Sequence, residues 1–100
     1  MRELIEESIA DSDLSLASLA AVAGVAAHQL AISFTRSVGV PLHQYVIGRR
    51  VERARQLLRD TDEPLASVAY ATGFSNQSHF TTTFRRIVGM TPGRYRNHLD

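Results

Sequence analysis

Cysteine and lysine are both absent from this chain, and it has no long apolar run. Without cysteine there is no disulfide framework, no thiolate metal site and no thiol nucleophile, and a reducing compartment suits the chain. No segment approaches the roughly 20 apolar residues of a membrane span, and the N-terminus lacks a basic-then-apolar signal pattern. A cytoplasmic location is expected, with no membrane partner. An HExxH pair and a phosphate-cradling glycine loop are also missing. The four histidines, His28, His43, His79 and His98, never fall at i, i+4. These absences argue against an enzyme, and no metal or cofactor is expected. The lack of lysine leaves eleven basic residues that are all arginine. Arginine's flat fork suits phosphate and guanine better than a point charge does, although the base composition of the coding DNA would give the same bias.

One hundred residues are enough for one domain with its own core, without disulfide or metal. The net charge of +1 is small but unevenly spread. Residues 1–48 hold two arginines against five acids, and residues 49–100 hold nine arginines against five acids.

The most informative stretch is Leu65 to Tyr95, LASVAYATGFSNQSHFTTTFRRIVGMTPGRY. Leu65, Val68 and Ala69 have helical spacing and stop at Gly73-Phe74, where glycine can take the left-handed backbone that ends a helix. A polar group follows, with Ser75 or Asn76 as cap. Phe80, Phe84, Ile87 and Val88 then mark the buried face of a second helix. Two short helices around such a turn spell a helix-turn-helix unit. The outer face of the second helix offers Gln77, Ser78, Thr81, Thr82, Arg85 and Arg86. Amides and hydroxyls near a helix start suit base edges and phosphates, and arginines further along suit phosphates. His79 lies near that face, equally placed for a contact or for packing.

An earlier passage repeats the pattern. Leu16, Leu19, Ala20, Gly24 and Val25 match Leu65, Val68, Ala69, Gly73 and Phe74 at an offset of 49. Leu30, Phe34, Arg36, Gly39 and Tyr45 then match Phe80, Phe84, Arg86, Gly89 and Tyr95 at an offset of 50. The one extra residue falls in or just after the second turn, where a loop tolerates insertion. Two copies of one supersecondary unit carry far more weight than one.

The remaining segments fit around the two units. Residues 2–10 read as a short amphipathic helix with Leu4, Ile5 and Ile9 inward, and Ser15 can cap the helix that begins at Leu16. Between the units, a helix over about 41–59 buries Tyr45, Val46, Val51, Ala54, Leu57 and Leu58, while Arg49, Glu52, Arg53 and Arg59 face outward. Gly48 within it calls for packing to hold the local helix. Such a helix is about 28 Å long at 1.5 Å per residue, and major-groove faces on one side of B-DNA recur every ~34–36 Å. The spacer can therefore set two recognition helices into successive groove segments. Asp60 to Pro64 turns the chain into the second unit, and Thr91-Pro92 caps a terminal helix with Arg94, Tyr95 and Arg96. The expected organisation is all-α, one domain over residues 1–100, with units at about 15–39 and 64–89.

These residues resemble the DNA-binding domain of AraC/XylS-type transcription regulators over nearly the whole chain. GFSNQSHFTTTFRRIVGMTPGRYR (Gly73–Arg96) looks like the family's C-terminal signature. LASLAAVAGV, the segment from Gly39 to Tyr45, and RRVERARQLL support it. The resemblance implies about seven helices, with both recognition helices in the major groove on one face of double-stranded DNA, and transcription regulation as the function. It implies DNA contacts from His28, Gln29, Ile32, Thr35 and Arg36 in the first unit. In the second it implies Asn76, Gln77, Ser78, His79, Thr81, Thr82, Arg85 and Arg86. Arg36, Arg85 and Arg86 are expected on the phosphate backbone, with Arg49 and Arg96 as weaker candidates.

The chain also departs from the pattern. Ile32 and Thr82 stand where the family often has arginine, and Ala26 replaces the usual capping serine of the first recognition helix. Ile32 can instead touch a thymine methyl. The better-defined half of any preferred DNA site is accordingly expected under the second helix. A fused sensor or dimerisation domain, or RNA polymerase, is the further partner implied. Met1 is expected to open an excised C-terminal domain, the alternative being a small stand-alone regulator. The rival reading is a helical protein–protein module, since fold alone does not fix function.

Overall fold

Helices form here where the apolar spacing has a period near 3.6, and they stop where glycine, proline or a short polar run intervenes. The computed structural model describes Ile5, Ile9 and residues 16–98, and among these are six helices and no strand. In chain order the helices are α1 (Leu16–Ala23), α2 (Ala27–Val38), α3 (Leu42–Asp60), α4 (Leu65–Ala71), α5 (Gln77–Val88) and α6 (Pro92–His98). The seventh helix, expected over residues 2–10 with Leu4 inward, lies outside the described residues, as does the Ser15 cap. Ile5 and Ile9 are both buried.

The repeat read from the sequence is a repeat of hydrogen bonds. α1 ends as the Val25 N–H donates to the Ala20 carbonyl at 3.1 Å, and α4 ends as the Phe74 N–H donates to Ala69 at 3.0 Å. Both are the six-residue closure of a left-handed helix end. α2 and α5 each run 12 residues and close when Gly39 and Gly89 donate to the carbonyls of Thr35 and Arg85. Beyond each, a tyrosine one turn into the next helix packs edge-on against the buried phenylalanine. Tyr45 lies 5.2 Å from Phe34 and Tyr95 lies 5.5 Å from Phe84, ring centre to ring centre. The extra residue of the second unit is Ser75, between the buried Phe74 and the capping Asn76.

The long helix α3 joins two separate cores. Its first part gives Leu42 and Val46, flanked by Tyr45, to a core with Ile5, Ile9, Leu19, Leu30 and Phe34. Its second part gives Val51, Ala54 and Leu58 to a core with Val68, Phe74, Phe80, Phe84 and Tyr95. The molecule is elongated as a result, with extents of 45 × 22 × 21 Å. Between the cores sits Arg50, only 7% exposed, whose Nε donates to the Ile9 carbonyl at 3.1 Å. The Gly73 turn lies directly on this contact. A buried guanidinium is tolerated only when hydrogen-bonded, and this one ties the N-terminal segment, α3 and the second unit at one point.

Three expectations need correction. Ile87 is 47% exposed rather than buried. It shares a helical line with Phe80 but overhangs the N-terminal part of α3, where it lines an open groove with His43, Gln44, Ile47 and Arg86. Val88 and Met90 pack against the core instead. Arg96 is committed to structure: it donates to the carbonyls of Leu58 (3.2 Å), Thr61 (3.2 Å) and Glu63 (2.6 Å). It thereby satisfies carbonyls that the end of α3 leaves without helical partners. Gly48 is exposed, and a Cβ there would meet nothing within 4 Å, so packing is not what holds it. Gly48→Ala is therefore expected to stabilise the fold by roughly 1 kcal/mol. Thermal denaturation should show this as a rise of about 4–8 °C in a domain of this size.

Candidate nucleic-acid interface

The outer face of α5 is fixed by what its inner face buries. Phe80, Thr83 and Phe84 are buried, and at about 100° per residue the opposite face centres on Ser78 and Thr82. Arg85, Arg86 and His79 flank that centre, and all five are exposed. Gln77 is exposed at the helix start, whereas Thr81 is half-buried at the edge of the face. Asn76 is the cap: it is exposed, and its side-chain oxygen accepts from the His79 N–H at 2.7 Å. The His79 ring meets the edge of Phe74 at 5.4 Å yet stays exposed. It therefore packs and faces outward at once.

The first unit shows the corresponding face with different chemistry. Leu30 and Phe34 are buried, and Ala26 gives no side-chain cap. His28 and Ile32 are at the centre of the outer face, with Gln29, Thr35 and Arg36 beside them, all exposed. Position by position at the offset of 50, Ser78 answers His28, Thr82 answers Ile32, Arg85 answers Thr35 and Arg86 answers Arg36.

Neither helix carries an acidic residue, and each has arginine in its last turn. The faces are thus neutral and polar near the helix start and cationic near the end. A phosphate-bearing surface meets no like charge on them, and arginine supplies paired donors. Of the weaker candidates, Arg49 is half-buried on α3, and Arg96 is occupied as described.

Val25 and Ser33 are two further residues that the structure brings to this face. With Ala23, Gln29, Ile32 and Arg36 they line an open groove of about 450 Å³ beside the outer face of α2. The available signal was the pairing of Val25 with Phe74, a small side chain where the other copy has a large one.

Two exposed helices of equal length, each held by its own turn and joined by a rigid spacer, define a double helix-turn-helix domain. Residues 19–98 match the family described as a helix-turn-helix domain. The chain is 42% identical over 83 residues to the probable transcriptional regulator LumQ of Photobacterium leiognathi, covering 83% of this chain and 34% of that protein. It is 36% identical over 84 residues to a putative AraC-like transcription regulator of Streptomyces antibioticus, covering 84% of this chain and 28% of that one. Among solved structures, the DNA-binding domain of the global transcriptional factor AdpA in complex with a target DNA superposes with a TM-score of 0.87. It is 28% identical, and 92% of this chain and 82% of that one are covered. The chain belongs to the AraC-like helix-turn-helix family of transcription regulators. It spans about a third of the length of these two curated relatives.

Proposed function

We propose that this domain binds double-stranded DNA sequence-specifically to regulate transcription, with α2 and α5 in successive major-groove segments. The observation that carries the reading is the duplicated, acid-free outer face on two equal helices. The AdpA domain, similar in fold and sequence, was crystallised with a target DNA. In this reading Gln77, Ser78 and Thr82 meet base edges in one segment, with His79 and Thr81 at the rim and Asn76 at the helix start. His28, Gln29 and Ile32 meet bases in the other, with Thr35 beside them. Arg36, Arg85 and Arg86 hold phosphates. The whole of residues 1–100 acts as one binding domain. A sensor or dimerisation domain, or RNA polymerase, is the further partner.

Phosphate contacts release counterions, so each one removed flattens the log-affinity against log-salt line by about 0.9. Arg86→Ala is expected to do this while leaving the melting temperature unchanged. Arg96→Met should do the reverse, losing roughly 1–3 kcal/mol of stability with the carbonyl contacts and keeping the salt slope. Affinity titrations across salt, paired with thermal melts, separate the two roles.

Selection of bound duplexes from a random pool at two salt concentrations tests the reading as a whole. The better-defined half of the motif should be the one that Gln77→Ala relaxes, because a glutamine amide can pair bidentately with adenine, worth ~1–3 kcal/mol of discrimination. His28→Ala should change affinity more than preference. Binding that ignores salt, with no motif recovered, would mark a protein–protein module instead.

A further inference from the structure

The two units differ most at Val25 and Phe74. In the second unit Phe74 is 2% exposed, its ring 5.2 Å from Phe80 and 5.4 Å from His79. Thr72 and Thr83 of the same unit are also buried. In the first unit the corresponding positions are Ala23, Val25 and Ser33, and all three line the open groove. Val25 is 44% exposed and Ile32 is 45% exposed, so the groove has an apolar wall that continues onto the outer face of α2. Gln29 and Arg36 stand at its rim, and no acid lines it.

An apolar wall on a helix that enters the major groove has one apolar counterpart there, the 5-methyl group of thymine. We propose that this groove is a thymine-reading subsite, in which Ile32 and Val25 take the methyl group and Arg36 anchors the adjoining backbone. The proposal rests on α2 occupying the major groove. In the second unit a buried Phe74 stands where Val25 is exposed, and the polar Thr82 stands where Ile32 is.

The test uses the unmodified chain and its selected site, with every thymine replaced singly by deoxyuridine, which deletes only the methyl group. Affinities are measured at one salt concentration. One or two replacements should weaken binding roughly fourfold, the worth of one methyl group taken out of water. They should lie in the half-site that Gln77→Ala leaves alone. Ile32→Ala, at a half-exposed position that leaves both cores untouched, should melt normally and bind thymine and uracil duplexes equally. Equal affinity for thymine and uracil at every position would overturn the subsite, as would a preference that survives Ile32→Ala. Failure to bind any duplex in a salt-dependent way would sink the underlying DNA reading instead, and that result is visible before any uracil is introduced.

Discussion

Alanine in place of Phe84 is expected to unfold a large part of this domain at ordinary temperatures. The ring is fully buried and sits edge-on between Phe80 at 5.7 Å and Tyr95 at 5.5 Å. It therefore ties α5 to both its own start and the terminal helix. Truncating such a ring costs about 3–5 kcal/mol, out of a total stability on the order of 5–15 kcal/mol. In a domain of this size the melting temperature should fall by upwards of about 12 °C, and DNA binding should be lost with it. Phe34→Ala, the same change in the first unit, should cost less, because that ring has Tyr45 as its aromatic neighbour where Phe84 has two. Circular dichroism melts of the two variants check both statements. A normal melt with lost binding would mean that the helical phase is inverted and Phe84 faces DNA.

The second large effect belongs to Gly73. Its φ of +91° lies in the left-handed region, as does the φ of +73° at its counterpart Gly24. A non-glycine residue there costs roughly 1–2 kcal/mol. At Gly24 nothing more is added, since a Cβ would meet open space. At Gly73 a Cβ would run into the Ile9 carbonyl and would lie 2.7 Å from the Arg50 Nε. The carbonyl is backbone, and Arg50 is bonded to that same oxygen, so neither can retreat without parting the joint between the two cores. A hydrogen bond to a charged group contributes about 1.5–3 kcal/mol. Gly73→Ala should therefore cost about 2.5–5 kcal/mol in all, clearly more than Gly24→Ala. Urea denaturation midpoints of the two variants give the comparison. Equal losses would show that the Ile9–Arg50 contact adds nothing to stability.

The contrast between these two glycines also marks where the sequence stops being legible. Each helix-turn-helix unit could be read because its signals are local: Leu19, Ala20 and Gly24, or Val68, Ala69 and Gly73, lie within two helical turns of one another. The polar run after Phe74 offered Ser75 or Asn76 as the cap, and Asn76 is the one that caps. The outer faces followed in turn, because burying Phe80 and Phe84, or Leu30 and Phe34, leaves only one direction for Ser78 and Thr82, or His28 and Ile32. What could not be read depends on contacts between distant segments. Arg50 bonds a carbonyl 41 residues away, and Arg96 reaches carbonyls 33 to 38 residues away. No periodicity distinguishes these arginines from exposed ones such as Arg85. Ile87 misled for a related reason. Its helical phase is that of a core residue, but it overhangs the groove beside α3 while Val88, one position on, packs against the core.

One copy of the chain is expected to span two groove segments on one side of the duplex. α3, at 19 residues, gives a spacer of about 28 Å, close to the ~34–36 Å between successive major-groove faces. Hydroxyl-radical footprinting of a selected site, with the stoichiometry of the complex measured in parallel, tests it. The expected result is one protein per duplex, two protected patches about one helical turn apart on the same face, a footprint of roughly 15–20 base pairs and no inverted repeat. A single protected patch per chain, or binding only as a dimer on an inverted repeat, would contradict the account.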